Sequence, residues 1–290
     1  MKIIDGKKIS QEVKSEIAAK VHGLLKENKR APHLAGIIVG DDGASKTYII
    51  SIERSCKEVG FISSIYQYPA TITEQQLLDA IDFLNRDEEV DGYIIQLPLP
   101  KHISIEKVTA HVDPKKDVDC FTPVNNGKLF LNEADFLPAT PYGTIELMKR
   151  ANITPAGKHC VVLGRSNIVG KPLALLLAEK SERGNATVTI CHSRTPNLKE
   201  VCASADILLV AIGQPEMITA DYIKQGATVI DIGVHRIPDE KSEKGYRICG
   251  DVKFDEVAPK CDAITPVPGG VGPMTMTCLL LNTLHAYEIK

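Results

Sequence analysis

The sequence predicts an α/β protein of two lobes, each built on a mainly parallel sheet, with a cleft between them. Three observations carry this. Short apolar runs of strand character alternate along the chain with stretches of helical periodicity, the pattern of βαβ units. The alternation occurs in two series, from about residue 33 and again from residue 158, separated by a stretch over 101–140 richer in Pro, Asn and Asp. And 290 residues are enough for two hydrophobic cores.

Ile9, Val13, Ile17, Val21, Leu24 and Leu25 recur at helical spacing and predict an amphipathic helix over 9–28. Residues 33–40 form a buried-strand pattern ending in the turn Asp41-Asp42-Gly43, followed by a helix over about 44–59 and an alternating strand over 61–68. Thr73 with Gln76 makes a capping box for a helix carrying Leu77, Leu78, Ile81 and Leu84. The apolar strand 90–97 is stopped by Pro98-Leu99-Pro100. Thr140-Pro141 suits the N-cap and first position of a helix through Arg150. In the second series strands are expected near 159–163, 186–191, 206–212 and 227–232, with shorter ones near 247–250 and 262–264. Residues 266–273, PVPGGVGP, form a rigid turn-rich segment ahead of a last helix over about 274–288. The expected domains are 1–145, with the C-terminal helix 274–290 packed back on it, and 146–273.

Composition narrows the function. Net charge is −3 with both signs interspersed and no Lys/Arg block, which argues against a nucleic-acid partner. No apolar run approaches a membrane span, and MKIIDGKKIS lacks the apolar core of a signal peptide. The eight cysteines, at 56, 120, 160, 191, 202, 249, 261 and 278, form no CxxC pair and no zinc spacing. They read as buried, reduced thiols of a cytoplasmic protein, and no metal site is expected.

Chemistry concentrates in 158–172, KHCVVLGRSNIVGKP. An apolar strand ends at Gly164 and a helical pattern starts near Ile168, the layout that aims backbone N–H groups and a helix N-terminus at a phosphate. The spacing is neither GxGxxG nor a Walker A loop, since five residues lie between Gly164 and Gly170 and Lys171 precedes Pro172. An ordinary βα turn with a surface arginine remains the bland alternative. The next strand decides the nucleotide. It ends in His192-Ser193-Arg194 without the carboxylate that grips the ribose 2′-OH of NAD. With Arg165 offering a planar fork to a phosphate, the site reads as one for NADP.

In the first series three strand ends stand out: residues 39–48, the segment Gln96-Leu97-Pro98-Leu99-Pro100, and Lys116-Asp117-Val118-Asp119-Cys120-Phe121. Together with GRSNIVGKP and TPVPGGVGPMT, the runs DGAS…Y, DGYIIQLPLP and KDVD follow in the order found in one family. The chain resembles the bifunctional methylenetetrahydrofolate dehydrogenase/methenyltetrahydrofolate cyclohydrolase family over nearly its whole length. The resemblance implies a homodimer with an N-terminal folate-binding catalytic lobe and a Rossmann-like NADP lobe. It implies NADP-dependent oxidation of 5,10-methylenetetrahydrofolate, then hydrolysis of the methenyl product to 10-formyltetrahydrofolate. By the same resemblance Tyr48 stacks near the folate, Gln96 orients a catalytic lysine, and Asp119 grips the pterin. Leu97, Pro268, Gly269 and Gly272 fall at the folate, and Gly164, Arg165, Ser166, Ser193 and Val234 at NADP. Taken singly, Tyr48 also suits a half-buried helix position and Asp119 an Asx turn.

Two positions depart from the family pattern. Where the family has a lysine four residues after the tyrosine, this chain has Ile52, on the same helix face as Tyr48 and without a transferable proton. Cys120 stands where the family has glycine, and at positive φ it carries a strain on the order of 1 kcal/mol. Hydrolysis should suffer more than hydride transfer, which depends mainly on positioning. Two alternatives stay open: a folate- or NADP-binding protein with a degenerate site, and an NADP dehydrogenase of another small substrate.

Overall fold

The computed structural model describes the backbone of residues 1–40 and 43–290 and the side chains of 1–40 and 50–290. The chain opens with β1 (Lys2–Ile3) and α1 (Gly6–Lys26) and divides into two compact units. One unit comprises Gln11–Ala139 and Met276–Lys290, the other Met1–Ser10 and Thr140–Thr275.

The first unit holds β2 (His33–Val39), α2 (Gly43–Val59), β3 (Ile62–Tyr68), α3 (Glu74–Arg86) and β4 (Gly92–Ile95), then α4 (Ile105–His111) and α5 (Pro123–Phe130). Its parallel sheet runs β3-β2-β4. β2 is central and buried on both faces, which is why its sequence reads as a continuous apolar run. Ala35, Ile37 and Val39 pack with Leu77, Ile81 and Leu84 of α3 and Val108 of α4 in one core. The capping box forms as expected: Thr73 accepts from the Gln76 N–H, and Gln76 returns the bond to the Thr73 N–H. The end of the chain closes this unit. Asn282 donates to the Val118 and Leu137 carbonyls, both at 2.7 Å, and Phe136 meets His285 edge to face.

The second unit continues through α6 (Ala139–Arg150), β5 (His159–Leu163), α7 (Gly170–Ala178), β6 (Thr187–Cys191), α8 (Leu198–Ala203), β7 (Ile207–Val210) and β8 (Ala227–Asp231). It ends with β9 (His235–Pro238), β10 (Tyr246–Cys249), α9 (Phe254–Val257), β11 (Cys261–Ile264) and the start of α10 (Val271–Glu288). Six parallel strands run β1-β11-β8-β7-β5-β6, while β9 and β10 form a separate antiparallel hairpin.

Several boundaries differ from the sequence expectation. Lys2 and Ile3 pair with Ala263 and Ile264, so the first ten residues join the second unit; a two-residue strand leaves no periodicity to read. The strand expected near 247–250 belongs to the hairpin rather than the parallel sheet. α6 starts at Ala139, so Thr140 lies inside the helix, its hydroxyl 3.1 Å from that of Thr275 instead of capping. α10 starts at Val271, which puts Pro273 in the first turn, where no N–H is needed. All eight cysteines are buried and none is in a disulfide. Among the described residues no helix is long and apolar enough to cross a membrane, and no three His, Cys, Asp or Glu side chains cluster as metal ligands do.

Candidate functional site

In the first unit β3 and β4 flank β2 on opposite sides, so strand order reverses between β2 and β4, where open α/β sheets bind ligands. Gln96 and Leu97 follow β4 at that edge. The Gln96 N–H extends the ladder to the Ile37 carbonyl at 2.9 Å, and its side-chain amide donates to the Leu97 carbonyl at 2.8 Å. The 116–121 segment reaches the same place through a bridge between Tyr93 and Asp117. Leu97, Asp117, Asp119 and Phe121 line a cavity there of about 20 Å³, room for a single water.

Asp117 and Asp119 have different duties. Asp117 is the turn-former: it accepts from the Phe121 and Thr122 N–H groups at 2.9 and 2.8 Å and from the Asn125 amide at 2.9 Å. Asp119 has one backbone donor, Ala139, and lines the cavity. Burial pushes its carboxyl up to about 7, and the neighbouring Asp117 charge acts in the same direction. Cys120 follows Asp119 and is buried at φ 58°, so the strain foreseen for this position is present.

The turn at Asp41 and Asp42 lies outside the described residues, and so does the Tyr48 side chain, although Tyr48 falls within α2. Ile52 is on the buried face of α2 with Ser55, Cys56 and Val59, and is 0% exposed. Arg54 points outward and pairs with Glu58 at 3.1 Å, and Lys57 is exposed. Lys14 of α1 reaches Ser55 at 3.0 Å and Glu58 at 2.9 Å, a turn beyond Ile52, and is committed there.

In the second unit the order reverses between β5 and β7. The placement of the two glycines, with five residues between them, has a packing reason. A Cβ on Gly164, at φ 136°, would lie 2.2 Å from the Ala211 carbonyl oxygen, and one on Gly170 would lie 2.3 Å from that of Gly164. The longer turn lets Ser166 fold back on the helix, so α7 starts at Gly170 and not near Ile168. Its hydroxyl accepts from the Val169 and Gly170 N–H groups, at 3.1 and 3.3 Å, while its carbonyl takes the Lys171 N–H at 3.1 Å. With Pro172 next, the helix N-terminus has no donor left to aim at a phosphate, contrary to the sequence expectation. The open donors lie earlier: the N–H groups of Arg165, Ser166, Asn167 and Ile168 have no acceptor among the described residues, and the exposed Arg165 guanidinium has no ion pair there. Ser193 is exposed just past β6, and Val234 is 59% exposed past β8.

Pro268, Gly269 and Gly272 belong to this second unit, whereas Gln96, Leu97 and Asp119 belong to the first. Gly269 takes φ 106°, whereas a Cβ on Gly272 would meet nothing. The crowded glycines are Gly270 and Gly6, where a Cβ on Gly6 would lie 1.8 Å from the Gly270 carbonyl oxygen. Asp231, Asp251 and His235 also belong to this unit, and their isolated acidic and imidazole side chains carry no sequence motif. A cavity of about 600 Å³ is lined by Asp231, Arg247, Phe254 and Pro266, and another of about 500 Å³ sits against α6 beside Ile153 and Arg183.

Residues 4–119 match the tetrahydrofolate dehydrogenase/cyclohydrolase catalytic domain, and residues 138–290 match that family's NAD(P)-binding domain. The chain belongs to the tetrahydrofolate dehydrogenase/cyclohydrolase family. It is 58% identical to the bifunctional protein FolD of Porphyromonas gingivalis, covering 98% of this chain and 96% of that one. The crystal structure of the FolD dehydrogenase/cyclohydrolase from Campylobacter jejuni superimposes with a TM-score of 0.93 at 41% identity, over 100% of both chains. The Trypanosoma brucei FolD, solved with NADP cofactor and an inhibitor, gives a TM-score of 0.93 at 37% identity, covering 99% of this chain and 97% of that one. The two matched domains identify this member of the family as an enzyme of folate one-carbon chemistry with an NAD(P)-binding domain.

Proposed function

We propose that this chain oxidises 5,10-methylenetetrahydrofolate to the methenyl form with NADP and hydrolyses that product poorly. Buried Ile52, on the same helix as Tyr48, carries the asymmetry: no proton-transferring group stands where the family has lysine. Asp119, which shares a cavity with Leu97, supplies an acceptor for the amino and ring N–H groups of a pterin. In the second unit Arg165 and the N–H groups of 165–168, without partners among the described residues, and the carboxylate-free end of β6 suit a dinucleotide bearing a 2′-phosphate. When bound, NADP supplies the hydride acceptor. Ser166 keeps its hydroxyl proton for that phosphate, since its oxygen already accepts from α7. Pro268, Gly269, Ser193 and Val234 are assigned to the two ligands on the family resemblance. Eight buried cysteines outside any disulfide support a reducing, cytoplasmic setting, and the resemblance supports a homodimer.

Opening the methenyl bridge needs water activated at a base, a contribution typically worth ~10²- to 10⁴-fold. Hydride loss leaves a cation stabilised by its own flanking nitrogens, so positioning suffices. The test follows methenyl absorbance during turnover. Methenyl should accumulate with the chain as it stands, and I52K should raise hydrolysis by ~100-fold or more with oxidation changed little. Hydrolysis that keeps pace with oxidation in the unaltered chain would overturn the asymmetry. Binding of both ligands without any oxidation would favour a degenerate site.

A further inference from the structure

Asp251 is wholly buried just after β10, and its carboxylate holds two strand-end loops at once. Three consecutive N–H groups of the loop after β7 donate to it: Ile212 at 2.8 Å, Gly213 at 3.2 Å and Gln214 at 2.8 Å. At the far end of the loop after β8, where β9 begins, His235 Nε2 lies 2.7 Å from the carboxylate oxygen that also accepts from Gln214. The arrangement leaves no slack. A Cβ on Gly233 would come 2.4 Å from the Asp251 carboxyl carbon, and a Cβ on Gly250 would come 1.8 Å from an Asp231 oxygen. Asp231 in turn accepts the N–H groups of Gly233, Asp251 and Val252, at 3.0, 3.0 and 2.9 Å. Backbone bonds from Glu216 to Gly250 and from Ile218 to Asp251, both 2.9 Å, fasten the rest of the β7 loop to the same strand end.

The two loops lie at the carboxyl ends of β7 and β8. In a doubly wound sheet the first two strands, here β5 and β6, serve the adenylate half of a dinucleotide, and the strands across the reversal serve the other half. Given NADP in this unit as proposed above, we infer that Asp251 is a positioning residue that fixes the walls of the nicotinamide half of the site, acting through the 212–214 backbone and His235 and touching no ligand itself. A carboxylate accepts all four donors. An asparagine amide would turn its own N–H₂ toward at least one of them, so the loop cannot keep its shape.

The experiment compares NADP⁺ with adenosine 2′,5′-bisphosphate, which lacks the nicotinamide half. In D251N the bisphosphate should bind within about twofold of the unaltered chain, while the NADP⁺ Kd rises about tenfold or more and kcat for oxidation falls by a similar factor. H235A should shift the same two quantities in the same direction by less. Parallel loss of both ligands in D251N, or no change in either, would overturn the inference. Should D251N fail to fold, an unchanged NADP⁺ Kd and kcat in H235A would overturn it. Failure of the unaltered chain to bind either nucleotide would instead remove the proposed NADP site.

Discussion

Two carboxylates separated by one residue make opposite contributions here. Asp117 satisfies two backbone N–H groups and the Asn125 amide, so replacing it strands buried donors. D117A should cost about 2–4 kcal/mol in denaturant unfolding. Asp119 is held neutral more readily than an ordinary carboxyl, its folded value near 7 lying above that of the unfolded chain. A raised carboxyl value favours folding below the unfolded value and loses that contribution as pH climbs through 7. D119N should therefore raise stability at pH 8, on the order of 2 kcal/mol, and leave it unchanged near pH 4. Melting curves at the two pH values check the sign, and the same variant should lose folate affinity at both. Sequence could not assign the duties. Each aspartate suits an Asx turn, and only the placement of Phe121, Thr122 and Asn125 shows which one makes it.

At the scale of elements, strands were legible where burial on both faces made them continuous apolar runs, as in β2, β5 and β7. Helix starts were less so. α7 begins late because Ser166, four residues upstream of Gly170, spends its oxygen atoms on the helix's first donors, a side-chain choice that periodicity does not register. β1 has two residues and no pattern, yet it moves the first ten residues into the second unit. The glycine pair was visible as letters, but its meaning is steric. G170A would press a methyl against the Gly164 carbonyl and should cost about 1–3 kcal/mol, together with a weaker NADP⁺ Kd, since the 165–169 turn must shift to admit it. Stability and affinity that both survive would show the turn to be loose.

For the molecule as a whole, two series of strands and helices gave away two parallel sheets, and each sheet reverses its order at an edge where family motifs fall. What stayed hidden depends on residues far apart in sequence, such as Asp251 under the 212–214 loop. The nucleotide preference is a whole-molecule property in the same sense, because a ligand that binds only the folded state stabilises all that unfolds with it. At ~100 times its Kd, NADP⁺ should add about 2.7 kcal/mol and raise Tm by a few degrees. NAD⁺ at the same concentration should do much less, because the only added group is a phosphate and Arg165 stands unpaired among the described residues. The gap between the two should narrow with added salt, as expected for an exposed guanidinium, and largely vanish in R165A. Equal shifts from both nucleotides in the unaltered chain would mean that the basic end of β6 and Arg165 do not read the 2′-phosphate.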